Sequence, residues 1–322
     1  MMPRACLAFV APMLWSACQT AAPRVERPSF SAFLAEGRMF EAEAVLRQDR
    51  RDPLAYAELV LGRDDLPEAE ALADAALRVD PGNRRAQLVL ARARERHGDF
   101  ALAVPVLEEL HDTVWECRAA LDANQNPAVC AALKKKTEIE AVGAYAAWLL
   151  HAGQPQAAET ELRQSLAHHR EAGPKIRTIS RLHYELALAL RDQQHPVAAE
   201  AEFWRALAIQ REVLGGSLYI ADTLYALGAM KLDQGWPASF EPFLKEALEI
   251  RGHLLDANDW RVVQARGAVA ACLSAERRFD QAGPSLLQAY ESIVRERGLK
   301  APEAMQLRDW WEAHERRPAV SR

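Results

Sequence analysis

The sequence is poor in the features that mark β-sheet proteins. Only 7% of the 322 residues are aromatic, and runs of β-branched residues are scarce, although half of the residues are hydrophobic. Alanine is abundant, which favours closely packed helices over strands. The length exceeds that of a typical compact domain of about 100 to 200 residues. We therefore expect an all-α protein with several cores or with a growing array of repeats.

An excess of positive charge is also missing. The net charge is −5, and the isoelectric point is about 6.0. This balance gives no electrostatic reason to expect binding to nucleic acid or to an acidic membrane surface. We therefore expect no nucleic-acid partner.

Motifs that gather catalytic or metal-binding groups are absent from the sequence. It contains no His-Glu-x-x-His, no Gly-x-Ser-x-Gly, no Walker loop and no Gly-x-Gly-x-x-Gly. The cysteines form no Cys-x-x-Cys pair, so a zinc or thioredoxin-type site lacks its usual basis. His168 and His169 are adjacent on a predicted helix, where their side chains diverge by about 100°. We expect no catalytic residues, no metal, no cofactor and no small-molecule substrate.

The first 17 residues predict a signal peptide. Arg4 supplies a positive charge, Ala5 to Leu14 form an apolar segment, and Ser16-Ala17 provide the small residues before a cleavage site. A stretch of this length is too short to span a hydrocarbon layer about 30 Å thick. We therefore expect export and removal of this segment; the alternative is a cytoplasmic chain with an apolar N-terminal arm.

Cys18 follows these small residues, so the segment resembles the lipobox of a bacterial lipoprotein signal. In that family the cysteine becomes the lipidated N-terminus, and Leu usually stands three places before it, where this chain has Trp15. The resemblance implies a lipid anchor at Cys18, a linker over residues 18–29, and a place on the periplasmic side of the cell envelope. In an oxidising periplasm, Cys117 and Cys130 are candidates for a disulfide, with free thiols on helices as the alternative.

A helical pattern repeats over residues 138–295. Pro155, Pro196 and Pro237 are 41 residues apart and open the second helix of three units, a place where proline costs little because the first N–H groups of a helix have no partner. Small residues recur at spacings of 41, 41 and 42 in two series: Ala146, Ala187, Gly228 and Ala270, and Ser165, Ala206, Ala247 and Ala289.

These residues resemble the tetratricopeptide repeat, in which small residues let the two helices of a hairpin nest. Tyr225, Leu227-Gly228 and Leu244 stand at positions of that family's pattern. The period exceeds the usual length of about 34 residues and is similar to the kinesin light chain type, whose Ala-Leu-x-Ile-Arg phrase fits KEALEIR from Lys245 to Arg251.

The resemblance implies a right-handed α-solenoid of seven helical hairpins. A block with the shorter period covers residues 30–111, and an irregular helical connector covers residues 112–137. The long-period block covers residues 138–295. Residues 296–322 form a tail with a capping helix that contains Leu307 and Trp310-Trp311.

In such a solenoid the first helices of the hairpins line a concave groove. The family's pattern places in that groove Arg85, Arg92, Arg96, Arg181, Tyr184, Leu188, Arg191 and Tyr225. Arginines and tyrosines suit an extended or helical peptide with acidic and apolar residues. The alternative is an ordinary solvated face.

Three functions compete on this basis. The first is a non-catalytic scaffold that holds a protein or peptide partner and touches the membrane only through its lipid. The second is an assembly factor resembling the repeat-containing pilotin lipoproteins that escort secretin subunits to the outer membrane. The third, of another class, is an enzyme or a regulator that binds a small molecule between hairpins.

Overall fold

The computed structural model of the chain describes residues 53–62, 65–97, 99–122, 135–169, 177–213 and 217–316. These residues form thirteen helices and no strand, which confirms the all-α prediction. In the described ranges, no helix has both the length and the hydropathy that crossing a membrane requires. The helices are α1 (Pro53–Gly62), α2 (Leu66–Val79), α3 (Arg84–His97), α4 (Phe100–Asp122), α5 (Lys135–His151), α6 (Pro155–His169), α7 (Arg177–Asp192), α8 (Pro196–Val213), α9 (Leu218–Asp233), α10 (Pro237–Leu254), α11 (Trp260–Ala275), α12 (Phe279–Arg297) and α13 (Pro302–Glu315).

The first twelve helices form six hairpins, each made of an odd-numbered first helix and the even-numbered second helix that follows it. Every helix packs against the next one along the chain, from α1 to α13. First helices of neighbouring hairpins also meet: α1 with α3, α3 with α5, α5 with α7, and α9 with α11. The last helix, α13, contacts α11 in the same way. In a solenoid each repeat contacts only the repeats next to it. The contacts here follow that pattern, so the predicted repeat architecture is confirmed.

The turns of the last four hairpins share one backbone design. Pro155, Pro196, Pro237 and Phe279 begin α6, α8, α10 and α12. Two residues before each of them the backbone is left-handed, with φ of 70° at Gly153, 62° at Gln194, 83° at Gly235 and 66° at Arg277. The next N–H bonds to the carbonyl five residues back, as from Gln154 to Leu149 at 2.8 Å and from His195 to Leu190 at 2.9 Å. This is the Schellman motif, and it closes each first helix at the predicted repeat spacing.

Small residues permit close approach of the two helices in each hairpin. Ala146, Ala187, Gly228 and Ala270 are all buried, as the sequence predicts. Sixteen residues further along, each hairpin has a large, buried residue: Leu162, Phe203, Leu244 and Leu286. The second series, Ser165, Ala206, Ala247 and Ala289, is buried as well. Each hairpin thereby contributes one layer to a core that continues from hairpin to hairpin.

The connector between the two blocks is more regular at its start than the sequence suggests. We expected the first block to end at residue 111, but α4 continues without a break to Asp122. A polar contact explains why this extension stays on the solenoid: Glu161 of α6 lies 2.9 Å from His111 Nε2 and accepts a hydrogen bond from Trp115 Nε1 at 3.0 Å. Residues 123–134 lie outside the described ranges.

The helix α13 covers the end of the array. It packs against α11 and α12 and buries Ala304, Leu307 and His314. His314 Nδ1 lies 2.8 Å from the hydroxyl oxygen of Ser274 in α11. The signal peptide, the linker and the predicted first hairpin before residue 53 lie outside the described residues.

Candidate partner-binding face

The eight residues that the sequence assigns to partner binding lie on three first helices, α3, α7 and α9. First helices line the concave side of a solenoid of helical hairpins. We call the surface formed by these eight residues and the aligned residues of α1, α5 and α11 the first-helix face.

Arg92 is an unusual cation on this face. Only 7% of it is exposed, and its Nε has no hydrogen-bond partner among the described residues. Glu95, one turn further along α3, instead lies 3.6 Å from His151 Nε2 of α5. A buried charge without a counter-charge is costly, so it is expected where a ligand supplies the missing group. Arg92 is therefore the strongest candidate anchor on the face.

The two other arginines of α3 differ in their surroundings. Arg85 Nε lies 2.5 Å from Glu58 Oε1 of α1, so this arginine ties two first helices together. Arg96 belongs to α3, but its side chain is outside the described part of the chain. Its role in binding stays a prediction.

The Arg181 side chain packs against α5 at Gly143, which has no side chain. Its Nε and Cδ would be 3.7 and 3.9 Å from a Cβ atom placed on Gly143 of α5. The Nε is 3.4 Å from Glu185 Oε1, which makes an ion pair but not a hydrogen bond. Arg181 thus packs against Gly143 and forms an ion pair with Glu185, while its buried Nε makes no hydrogen bond with the described residues.

Tyr184 and Leu188 are only partly exposed. The Tyr184 ring centre is 6.0 Å from that of Phe203 in α8, inside the same hairpin. Burial raises the pKa of the Tyr184 hydroxyl above its ordinary range, and the charge of Asp222 adds to this effect. Arg191 is more open and donates to its neighbour Asp192 at 2.9 Å. Arg191 is thus the most accessible of the candidate residues on α7.

Tyr225 differs from the expectation of an open groove residue. It is 8% exposed, and its hydroxyl donates to Gln306 Oε1 of α13 at 2.8 Å. Burial raises its pKa above the ordinary range. The physical reason is that α13 packs beside α11 and reaches back to α9, where Trp310 Nε1 donates to Asp233 at 2.7 Å. A partner would have to displace α13 to reach this tyrosine.

Arg251 is a buried residue that sequence reasoning did not single out. It is 3% exposed and donates to Asp222 Oδ1 of α9 and to the Arg261 carbonyl of α11, both at 2.8 Å. Its guanidinium carbon is 4.8 Å from the Tyr225 ring centre. The sequence shows only a basic residue in the last turn of α10, where the helix dipole is a sufficient reason for it. In the fold, Arg251 joins three helices beneath the first-helix face.

Cys117 and Cys272, the two cysteines of the described residues, differ in their state. Cys117 is disulfide-bonded, while Cys130 and Cys18 lie outside the described residues. The pairing of Cys117 with Cys130 and the lipidation of Cys18 therefore stay predictions. Cys272 is a buried free thiol, and burial raises its pKa to about 12. No group of three or more His, Cys, Asp or Glu side chains in the described ranges is placed to hold a metal ion.

Comparison with known proteins identifies one repeat directly. Residues 184–217, which run from within α7 through α8 to the residue before α9, match the family model of the tetratricopeptide repeat. No curated protein sequence matches the chain significantly.

Solved structures with the same architecture are distant in sequence. The APC/C hetero-tetramer Cut9-Hcn1 is 14% identical over 88% of this chain and 48% of that chain, with a TM-score of 0.55. BtubC (BKLC) from P. vanneervenii is 18% identical over 74% of this chain and 91% of its own, with a TM-score of 0.51. A kinesin light chain-like protein of Podosopora anserina with nearly identical TPR-like repeats is 18% identical over 67% of this chain and 97% of its own, with a TM-score of 0.49.

The sequence match is local and the structural likenesses concern the fold. The chain is thus an all-α solenoid of stacked helical hairpins in which residues 184–217 match the tetratricopeptide repeat.

Proposed function

We propose that the protein is a non-catalytic scaffold that binds a polypeptide partner along its first-helix face, on the periplasmic side of a bacterial cell envelope. Repeat solenoids present extended concave surfaces, and recognition of a protein or peptide is the usual use of such a surface. The observation that carries the proposal is the buried Arg92 on this face, whose Nε has no hydrogen-bond partner among the described residues.

The chemistry of the face favours an acidic partner segment. Arg92 and Arg181 each have a buried Nε without a hydrogen bond among the described residues. An arginine binds a carboxylate with two parallel N–H donors, which gives both energy and orientation. The half-buried Tyr184 and Leu188 add apolar surface on α7 beside Arg181. An extended segment that alternates acidic and apolar side chains would match both features.

The envelope location rests on the N-terminal sequence alone. Arg4, the apolar segment that follows it and the small residues before Cys18 support export and lipidation. Mass spectrometry of the mature N-terminus tests this part separately. We expect a diacyl or triacyl group on Cys18; an intact Met1 would contradict export.

Partner binding is tested by affinity purification of the tagged full-length protein from detergent-solubilised envelopes. Arg92→Met keeps much of the side-chain volume and removes the charge, and Arg211→Met is the matched control. Arg211 lies on the second helix α8, is half-exposed and pairs with Glu246 at 2.8 Å. Co-purifying proteins are compared among the wild type and the two variants by quantitative mass spectrometry.

The expected result is one polypeptide that is retained by the wild type and by Arg211→Met and is depleted by Arg92→Met. Melting curves of the purified proteins keep loss of folding apart from loss of binding. Equal recovery with all three folded proteins would refute a site on the first-helix face.

A further inference from the structure

A second candidate site lies between hairpins, at a place that the first-helix face does not include. An open cleft of about 460 Å³ is lined by residues of α6, α7 and α8. Leu166 and Ile179 contribute apolar surface, and four ionisable residues share the lining: Arg163, His183, Glu202 and Arg205. The volume is in the range of small-ligand sites, about 300 to 1,000 Å³.

The ionisable residues form a connected set. His183 Nδ1 lies 2.7 Å from Glu202 Oε2, and Arg205 Nη1 bonds to Glu202 Oε1. Burial by itself would raise the pKa of Glu202, but the hydrogen bond and charge of His183, together with the charges of Arg205 and Arg163, lower it below its ordinary value. The ionised carboxylate accepts from His183 Nδ1, so Nδ1 carries the proton. His183 Nε2 has no hydrogen bond within the described residues.

The repeat supplies an internal control for this site. A shift of 41 residues places Leu224 at the position of His183, Phe243 at that of Glu202 and Trp204 at that of Arg163. In that next interface Leu224 is fully buried, and Trp204 packs edge-on against Phe243 with ring centres 5.5 Å apart. Three of the four ionisable positions of the cleft are therefore apolar at the next interface, and the fourth, that of Arg205, is Glu246.

The fold itself does not require charged residues in the cleft, because Trp204, Leu224 and Phe243 occupy the positions of Arg163, His183 and Glu202 at the next interface. Replacing a buried charge pair by well-packed hydrophobic residues is often neutral or stabilising, so retaining one calls for another reason. The available donors at the cleft are the outer N–H groups of two guanidinium groups, with Arg163 53% exposed and Arg205 59% exposed. Arg163 Nε itself is bound to Glu159 at 2.7 Å. Two forked cations beside apolar surface suit a planar anionic group that carries an apolar chain.

We propose that this cleft binds an amphipathic carboxylate, with the anionic group on Arg163 and Arg205 and the apolar chain against Leu166 and Ile179. His183, oriented by Glu202, contributes a hydrogen bond through Nε2. A free medium-chain carboxylic acid and the apolar C-terminal residue of a peptide share this chemistry.

Calorimetric titration of the full-length protein with octanoate tests the proposal. Two control probes are octylamine, which reverses the charge, and acetate, which lacks the chain. We expect each to bind at least about tenfold more weakly than octanoate, the effect of losing one charge-assisted hydrogen bond or several buried methylene groups.

A short peptide with C-terminal leucine, used as free acid and as amide, distinguishes the two sources of the carboxylate. Tighter binding of the free-acid peptide than of octanoate assigns the site to a peptide terminus, and the reverse assigns it to a free acid; both support the site.

Variants locate the binding. Arg205→Gln should weaken octanoate binding at least about tenfold, whereas Arg211→Gln, on the same helix but not in the lining, should leave it unchanged. The triple variant Arg163→Trp, His183→Leu, Glu202→Phe fills the cleft with the residues of the next interface. We expect it to fold and to lose octanoate binding.

Two results would overturn the proposal. One is octanoate binding that is equal in the wild type and in a folded triple variant, which would mean adventitious apolar binding elsewhere. The other is failure of the folded wild type to bind either octanoate or the free-acid peptide. The Arg92→Met protein should bind octanoate normally, so this site and the first-helix face are tested independently.

Discussion

Leu244 of α10 lies against the bare backbone of Gly228 in α9. A Cβ atom on residue 228 would be 2.7 Å from both Cγ and Cδ2 of Leu244, closer than such atoms approach in real structures. The equivalent residues of the other long-period hairpins are Ala146, Ala187 and Ala270. The α9/α10 hairpin is therefore packed one methyl group more tightly than its neighbours.

Gly228→Ala should destabilise the protein despite the higher helix propensity of alanine. Moving Leu244 away from its buried position costs about 1 to 3 kcal/mol, the usual cost of overpacking a core. Chemical denaturation measures the free energy of unfolding. Gly252→Ala, in α10, is the matched control, because a Cβ there meets nothing within 4 Å, and it should stabilise by about 0.5 to 1 kcal/mol. A stabilising Gly228→Ala would show that the two helices separate freely.

At the left-handed turn positions, replacing a residue by glycine should stabilise the protein. Gln194 and Arg277 adopt φ of 62° and 66°, where Gly153 and Gly235 stand in the other hairpins. A side chain in this conformation costs roughly 1 kcal/mol relative to glycine. Gln194→Gly should therefore raise the free energy of unfolding by about that amount, and Gly153→Ala should lower it similarly. If Gln194→Gly and Gly153→Ala changed the free energy of unfolding in the same direction, the shared turn conformation would be ruled out.

Sequence reasoning succeeded where structure is set by neighbours within one hairpin. Gly228 and Leu244 are sixteen residues apart, and their pairing recurs in every long-period unit, so periodicity reveals it. Likewise, Pro196 at the start of α8 marks a helix start on local grounds.

The candidate site was harder to predict because its exposure depends on distant contacts. Tyr225 and Gln306 are 81 residues apart, and no periodic pattern encodes their hydrogen bond. Arg251 was missed for another reason: Asp222 lies in its own hairpin and Arg261 in the next one, but these polar contacts leave no mark on the apolar repeat pattern. The family pattern assigns Tyr225 to an open groove, whereas in the structure this residue of α9 is covered by α13.

Tyr225→Phe should weaken the contact between α9 and α13. It removes the hydroxyl that donates to Gln306, and the loss of one such hydrogen bond costs about 0.5 to 1.5 kcal/mol. Tyr184→Phe is the matched control, because it occupies the equivalent position 41 residues earlier and its hydroxyl makes no hydrogen bond with the described residues. Hydrogen exchange of α13 amides should quicken in the first variant only. Equal exchange in both variants would mean that the bond does not hold α13 in place.

The buried thiol of Cys272 makes stability depend on alkaline pH. Burial, with a smaller effect of Glu241 and Glu276, raises its pKa from 9.0 to about 12 in the folded chain. The unfolded chain therefore releases this proton at lower pH than the native chain, and stability falls as the pH rises from about 9 towards 12. Cys272→Ala removes this dependence, and it should be the less stable protein at neutral pH because the site is fully buried. Urea titrations at several pH values should show the difference between wild type and variant shrinking above about pH 9. Tyr184 and Tyr225 ionise in both proteins and cancel in that difference, so a gap that stays constant with pH would show that the native thiol ionises as readily as the unfolded one.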